Sequence, residues 1–306
     1  MHKIFIYDNA SFPVHDNVVE YRGYVPFSKI NLEKKYSITS NIKEAEYFYM
    51  GQFTCMGKQF IKNEFKYFDQ FPKKHICDIE GDWTYNFIAK EILQNCIITT
   101  NGAKKEYQAY YDRIFIRPTF SKLLANLVKK YKKIEYKPVY NRVFSFKGFA
   151  DPHGVRTRMA KLITRSNIGS DIEFNDMWHG NTLSNTAVVS EYMKKIYSNT
   201  FSLCPRGSGV DTVRFFESCY FGRIPIVIGD NLLFGEKDYI KPFFFKIEPS
   251  LHDEEIIDKF EQISNIKQDL IDEMSINCID FFEKNVMDYF KDPDDVFTSW
   301  LKKRNI

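Results

Sequence analysis

The residues best able to do chemistry lie in one stretch, NTFSLCPRGSGVDTVRFFESCYFGRIPIVIGD, at positions 199 to 230. Its pattern predicts a buried strand, a glycine-containing loop, a helix and a second buried strand. Gly207 and Gly209 allow a ligand to approach the loop backbone closely. Asp211 or Thr212 is suited to cap the helix, whose N-terminus offers unpaired N–H groups and partial positive charge to a phosphate.

Charged side chains of both signs accompany this loop. Arg206 enters the loop and Arg214 lies in the first turn of the helix, so two guanidinium groups can converge on one anion. Glu217 follows three residues later on the same helical face, where a carboxylate suits the hydroxyls of a ribose. The residues therefore predict a nucleotide phosphate site, and a Schellman-type turn with an Arg–Glu surface pair remains the alternative.

The sequence lacks the motifs that are typical of other nucleotide, metal and catalytic sites. The loop is not a Walker A sequence, because no GK[ST] follows, and its glycine spacing does not match GxGxxG. No His, Cys, Asp and Glu spacing fits a zinc site, and no Asp-x-Asp motif is suited to a divalent metal. The run Asp292–Asp295 is better explained as a helix break with an N-cap. Arginines and a helix dipole can supply positive charge, so no essential metal or other cofactor is expected.

The elements that must position these residues alternate between strand and helix. Buried strands are predicted at KIFIYD, AEYFYMG, HICDI, CIITT and RIFIRP in the first half, and at NRVFSFKG, SDIEFND, TFSLCP, IPIVIG and FFFKIE in the second. Helical patterns include FKYFDQF, VRTRMAKLI, VSEYMKKIYS and TVRFFESCYF. This alternation predicts two α/β units with parallel sheets, a linker around Pro138 and a helical tail from Asp253 on.

Composition agrees with a globular chain of about two domains. Its 306 residues are 44% hydrophobic and 17% aromatic, which excludes disordered and collagen-like classes. Residues 101–150 carry twelve Lys and Arg against three acids, whereas residues 248–300 carry fifteen acids against four bases. The basic stretch is either a solvated helix end and linker or a patch for peripheral membrane contact. Because no recognised motif accompanies it, a nucleic-acid partner is not expected.

Cysteine use indicates a reducing compartment. The six cysteines form no CxxC pair, and several lie inside apolar runs where a thiol acts as a small hydrophobic group. The first residues do not resemble a signal peptide, and no apolar run of about 18 residues predicts a membrane span. The sequence therefore predicts a cytoplasmic protein.

The stretch at 199–230 resembles the signature of the exostosin-like glycosyltransferases, family 47. KIFIYDNASF, SNIKEAEYFYMG, KKHICDIEGDW and FSFKGFADPHGVRTRM are similar to other strands of that family. The resemblance implies a GT-B fold, in which two Rossmann-like domains with parallel sheets face a central cleft. It also implies an inverting, metal-independent transfer from a UDP-sugar to a hydroxyl of a glycan acceptor, whether free or linked to lipid or protein.

The resemblance also implies the parts of the chain that do each task. Residues 1–137 form the acceptor-side domain, residues 138–285 bind the donor, and residues 286–306 form a helix able to cross back to the first domain. Of the candidate donor residues, it implies Arg156, Arg206, Arg214 and Glu217 by motif position, and Asp230 begins a loop similar to one of the family. The remaining candidates belong to the loop and helix start described above: Gly207, Ser208, Gly209 and Thr212.

Inversion requires a base that takes the proton of the acceptor hydroxyl. The densest titratable cluster at a strand end is HICDIEGDW, where Asp78, Glu80 and Asp82 alternate and share one face. Asp82 is the first choice because its Asp-Trp context is similar to the family, and Glu80 and Asp78 follow. Two alternatives remain: a GDP-sugar enzyme of the fucosyltransferase kind, and a non-catalytic protein that binds a nucleotide or glycan.

Overall fold

The computed structural model describes most of the chain and divides it into two compact units. The described residues are 1–8, 10, 34–54, 64–80, 94–100, 103–104, 109–110, 112–118, 124, 128, 136–150, 154–175, 186–207, 212–232 and 239–304. Unit 1 consists of Met1–Pro118, Asn231–Gly235 and Asp288–Ile306, and unit 2 of Thr119–Asp230 and Glu236–Met287.

Unit 1 contains a six-stranded sheet in which every described pairing is parallel. The strand order is β2-β1-β3-β4-β5-β7, so the chain reverses its direction of winding between β1 and β3. A short antiparallel pair, β6 with β12, accompanies it. The strands of this unit are β1 (Lys3–Ile6), β2 (Ser37–Ile38), β3 (Tyr47–Thr54), β4 (His75–Glu80), β5 (Cys96–Thr100), β6 (Ala103–Lys104), β7 (Ile114–Ile116) and β12 (Asn231–Leu232).

Unit 2 contains a five-stranded parallel sheet of order β13-β11-β10-β8-β9. The winding reverses between β8 and β10, which makes the carboxyl ends of these two strands the topological switch point, where open α/β sheets bind ligands. The strands are β8 (Phe144–Phe149), β9 (Ser170–Asn175), β10 (Phe201–Pro205), β11 (Ile224–Ile228) and β13 (Phe245–Ile247).

Helices cover this second sheet and continue into the tail. Apolar residues of β8, β10 and β11 pack against three of the helices in one core, which includes Phe144, Leu203, Leu162, Phe260 and Met274. The helices are α1 (Val155–Arg165), α2 (Thr186–Tyr197), α3 (Val213–Tyr220), α4 (Asp253–Ser264), α5 (Gln268–Phe281), a π-helical segment (Phe282–Val286), α6 (Met287–Lys291) and α7 (Pro293–Lys303).

The last helix packs within unit 1. Asp292 caps α7 by accepting a hydrogen bond from the backbone N–H of Asp295 and also pairs with Lys35. The hydroxyl of Tyr36 donates to Asp294 at 3.0 Å, and Trp300 packs edge-on against the ring of Phe115. The interpretation of the DPDD run as a helix break with an N-cap is confirmed.

The predicted α/β class with parallel sheets is confirmed, and each predicted strand forms in part or in full. The helix expected at FKYFDQF is wrong: residues 65–71 form turns that bury Phe65 and Phe68 just before Pro72. The five described cysteines are unoxidised and buried. Among the described helices, none is long and apolar enough to cross a membrane. Much of the basic stretch 101–150 lies outside the described residues.

His75 lies at the start of β4 in unit 1, and both of its ring nitrogens form hydrogen bonds. Its Nδ1 donates to the carbonyl of Phe71 at 3.1 Å, so Nε2 accepts from the hydroxyl of Tyr7 at 2.9 Å. The ring is fully buried and stacks on Phe48. Burial lowers the pKa of His75 from 6.5 to about 4, because a charged imidazole would lose its hydration there.

This shift predicts that unit 1 loses stability in mild acid. Between pH 6.5 and 4 the unfolded chain binds the proton more readily, so the free energy of unfolding should fall by roughly 3 kcal/mol over that window. Urea unfolding at pH 7, 5.5 and 4.5 measures the loss. His75→Gln should make the free energy of unfolding depend less on pH over this window. An unchanged slope in His75→Gln would contradict the assignment.

Candidate functional site

The candidate site lies at the switch point of the unit 2 sheet, where β8 and β10 end. The chain continues from β8 into α1, which carries Arg156, and from β10 through Arg206 and Gly207 towards α3, which carries Arg214. Because parallel strands end at one edge of a sheet, the two strand–helix connections bring their cationic residues to the same place. Thr212 caps α3 in extended conformation, without a side-chain hydrogen bond to the helix.

Arg214 is the central cation of the site and is largely buried, with 7% of its surface exposed. Its guanidinium group lies 4.4 Å from the ring centroid of Phe146 and 4.8 Å from that of Tyr192, so it sits against two aromatic faces. Nη2 also donates to the carbonyl of Lys147. Gly148 leaves room for the Phe146 ring on which the guanidinium group stacks, since a Cβ there would lie 2.9 Å from that ring.

No carboxylate of the described residues lies within ion-pairing distance of the Arg214 guanidinium group. Lys147 provides a contrast, because its ammonium group pairs with Glu173 at 2.7 Å and Glu191 at 3.0 Å. A buried cation without a counterion is costly unless an anion completes its environment. The arrangement around Arg214 is therefore suited to hold an anionic ligand.

Arg156 and Arg206 add positive charge beside Arg214. Nη1 of Arg156 donates to the carbonyl of Phe149 at 2.7 Å, and its guanidinium carbon lies 5.8 Å from the same Phe146 ring. Arg206 pairs with Asp230 at 3.1 Å, and Asp230 is the more exposed partner, at 45% against 19%. Asp230 thus lies at the site rather than in the core, next to one of its cations.

Gly207 makes room for Arg156. A Cβ at position 207 would lie 2.7 Å from Nη2 of Arg156, a separation that no real contact allows, although the backbone of Gly207 does not have positive φ. The glycine is therefore needed for the neighbouring guanidinium group and not for its own conformation.

We expect Gly207→Ala to displace the Arg156 guanidinium group without unfolding the protein. The affinity for inorganic pyrophosphate should fall about tenfold, the value of one charge-assisted hydrogen bond. Titration calorimetry measures it. Arg156→Ala is the matched partner: once Arg156 is removed, adding Gly207→Ala should weaken binding little further. Fully additive losses in the double variant would show that Gly207 acts by another route.

Glu217 lies on α3, one turn after Arg214, and is almost completely buried. Its Oε2 accepts a hydrogen bond from the hydroxyl of Tyr192, a residue of α2. Burial raises the pKa of that hydroxyl well above its usual value, so it stays protonated as a donor. The acid and the central arginine therefore share one aromatic neighbour.

The structure brings together some predicted site residues and not others. Arg156, Gly207, Arg214 and Glu217 form one cluster, with Arg206 and Asp230 adjoining it. Ser208, Gly209 and Asp82 lie outside the described residues, and of Glu80 only the backbone, as the last residue of β4, is described.

Asp78, offered by the sequence as a candidate base, is fully buried in unit 1. Its Oδ1 accepts from Thr99 at 2.5 Å and lies 3.2 Å from Nη1 of Arg117, which is itself 5% exposed. A carboxylate so enclosed cannot reach an acceptor hydroxyl. We therefore assign Asp78 to a structural ion pair, which leaves Asp82 and Glu80 as the candidate bases.

Sequence reasoning missed Phe146 and Tyr192 as parts of the site. Phe146 stands in the Phe-x-Gly strand and could have been suspected from Gly148, a glycine inside a strand pattern. Tyr192 offers no such signal, because an aromatic residue on one face of a helix is typical of an ordinary core position.

Neither a protein-family model nor a curated protein matches the chain. Among solved structures, it is similar to a point mutant of S. aureus TarM in complex with fondaparinux, α-GlcNAc-glycerol and UDP. The TM-score is 0.39 at 12% identity, over 79% of this chain and 58% of that one. A second TarM structure gives a TM-score of 0.34 at 12% identity, over 79% and 57%. The chain thus aligns with less than two thirds of the length of these proteins.

Proposed function

We propose that this chain is a glycosyltransferase that binds a nucleotide-sugar donor at the switch point of unit 2. The observation that carries the proposal is the buried guanidinium group of Arg214, which lies against two rings and has no carboxylate partner among the residues that the structure describes. Arg156 and Arg206 beside it give the charge needed for a diphosphate. The resemblance of residues 199–230 to exostosin-like transferases supports a sugar nucleotide as the source of that diphosphate.

The same cations suit the chemistry of transfer. As the bond between the sugar and the nucleotide breaks, negative charge develops on the leaving diphosphate. Arg214 is already fixed by stacking and by the carbonyl of Lys147, so little reorganisation is needed when that charge appears. These arginines can stabilise the leaving group without a divalent metal, and we propose UDP as that group.

We propose that the base of the acceptor step comes from the first half of the chain. A glycan hydroxyl would attack the anomeric carbon while Asp82, or else Glu80, takes its proton, and the transfer would invert the anomer to give a β-linkage. Arg206 and Asp230 adjoin the cation cluster, and Asp230 is exposed enough to contact the donor sugar.

Thermal-shift titration with UDP, GDP, CMP and dTDP, each with and without Mg²⁺, tests the donor site. Ligand at 100 times its Kd should add about 2.7 kcal/mol of apparent stability. UDP should produce the shift, with or without Mg²⁺. A shift with GDP alone would favour the fucosyltransferase-like alternative, and the absence of any shift would refute a nucleotide site.

Turnover then separates an enzyme from a binding protein. UDP-sugars that shift the transition are incubated with the protein, and release of UDP is measured with and without glycan acceptors. The anomeric proton of the product, observed by NMR, reports inversion or retention. UDP binding without hydrolysis or transfer of any sugar would favour the non-catalytic alternative.

A further inference from the structure

Tyr192 contacts both charged residues at the centre of the anion site. The centroid of its ring lies 4.8 Å from the guanidinium group of Arg214, and the centroid of the Phe146 ring lies 4.4 Å from the same group. Its hydroxyl donates to Oε2 of Glu217. One side chain from α2 therefore touches a cation and an anion that both belong to α3.

Those two charges are buried three residues apart on one helix, yet they do not form an ion pair. An Arg–Glu pair at this spacing is normally attractive. If it formed here, it would neutralise the cation on which anion binding depends. The hydroxyl of Tyr192 satisfies a carboxylate oxygen of Glu217, while its ring supports the guanidinium group in another position.

We propose that Tyr192 is a positioning residue that keeps Arg214 available for the donor diphosphate. Its ring fixes the guanidinium group against Phe146, and its hydroxyl holds Glu217 away from that group. The inference rests on the proposed function for the identity of the natural ligand. Its test uses inorganic pyrophosphate, which has neither ribose nor sugar, so any contact of Glu217 with a ribose does not enter the result.

Two substitutions separate the two parts of the side chain. Tyr192→Phe keeps the ring and removes one hydrogen bond that holds the Glu217 carboxylate away from Arg214, so pyrophosphate should bind about tenfold more weakly. Tyr192→Leu also removes the stacking surface and should weaken binding by about a further tenfold, the upper range of a desolvated cation–π contact. Titration calorimetry at low and moderate salt measures both.

A second substitution, at Glu217, distinguishes a positioning role of Tyr192 from a packing role. In Tyr192→Phe, adding Glu217→Gln removes the competing charge and should restore the affinity for pyrophosphate to within about threefold of wild type. Glu217→Gln alone should bind pyrophosphate at least as tightly as wild type. If the double variant binds no better than Tyr192→Phe, or if Tyr192→Phe binds as wild type does, the inference is wrong.

The chain offers a matched control on the same helix. Tyr197 stacks on Arg223 at 5.2 Å, and Arg223 lies at the start of β11, the opposite edge of the sheet from the anion site. Tyr197→Phe and Tyr197→Leu should therefore leave pyrophosphate binding unchanged. Equal losses in the Tyr197 and Tyr192 variants would show a general effect of α2 packing and overturn the inference.

Failure of the proposed function would give a different pattern. If pyrophosphate binding follows the predicted order but no UDP-sugar is turned over, Tyr192 is still the positioning residue of an anion site, and glycosyl transfer is refuted. If wild-type protein turns over a UDP-sugar while its pyrophosphate affinity is insensitive to both Tyr192 variants, the function stands and the inference falls.

Discussion

Arg214→Met is expected to abolish the thermal shift produced by UDP and to leave the melting temperature of the ligand-free protein close to that of wild type. The guanidinium group is buried and has no carboxylate partner in the described part of the chain, so its removal deletes a charge that the free protein must desolvate. Met occupies a similar volume between Phe146 and Tyr192. The carbonyl of Lys147 loses its donor, which costs about 1 kcal/mol, or roughly 2–4 °C in Tm.

The effect on catalysis should be far larger than the effect on folding. Removal of one preorganised donor to developing charge lowers turnover by about 10²–10³-fold, so kcat/KM with a UDP-sugar should fall by at least that factor. Arg165→Met is the control, since Arg165 is an exposed arginine of α1 with only weak pairs to Asp253 and Glu254. A wild-type UDP shift in Arg214→Met would remove the observation on which the proposed function rests.

The part of the site that the sequence predicts is the part that is continuous along the chain. Arg206, Gly207 and Arg214 belong to one strand–loop–helix unit, and the local rules for strands, glycines and helix caps place them together. The strands themselves are predictable because parallel strands covered on both faces are continuous apolar runs. The order of strands, and with it the switch point between β8 and β10, requires the structure.

Contacts between elements that are far apart along the chain cannot be predicted from the sequence. Tyr192 reaches Arg214 from another helix, and nothing in its spacing distinguishes it from a core aromatic residue. The helix predicted for FKYFDQF is wrong for a related reason. The aromatic spacing of this segment fits a helix, but the segment is short and precedes Pro72, and a proline disfavours helical backbone in the residue before it. Instead, Phe68 packs against His75 and Phe65 packs edge-on against Tyr7.

Asp78 shows most clearly which contacts cannot be predicted from the sequence. Period-two spacing correctly places Asp78 and Glu80 on one strand, β4, but spacing does not reveal that Asp78 is enclosed by residues of two neighbouring segments. Thr99 comes from β5 and Arg117 follows β7, so both partners depend on the order of the sheet. The predicted role for Asp78 and its structural role differ in consequences that can be measured.

Asp78→Leu is expected to destabilise unit 1 by about 3–5 kcal/mol, because it removes the buried carboxylate that pairs with the Arg117 guanidinium group. The double variant Asp78→Leu with Arg117→Met should recover most of that loss, since replacing a whole buried ion pair by apolar side chains of similar volume is often neutral. Urea unfolding of the three proteins measures the coupling between the two sites.

Activity of the double variant decides between the two roles of Asp78. A structural ion pair predicts that the double variant, once folded, transfers sugar with a kcat within a few-fold of wild type. A catalytic base predicts a fall of about 10²–10⁴-fold that no restoration of stability repairs. Thr99→Val provides the control for local packing, because it removes one hydrogen bond to Asp78 while leaving the carboxylate in place, and should cost about 1 kcal/mol of stability with kcat unchanged.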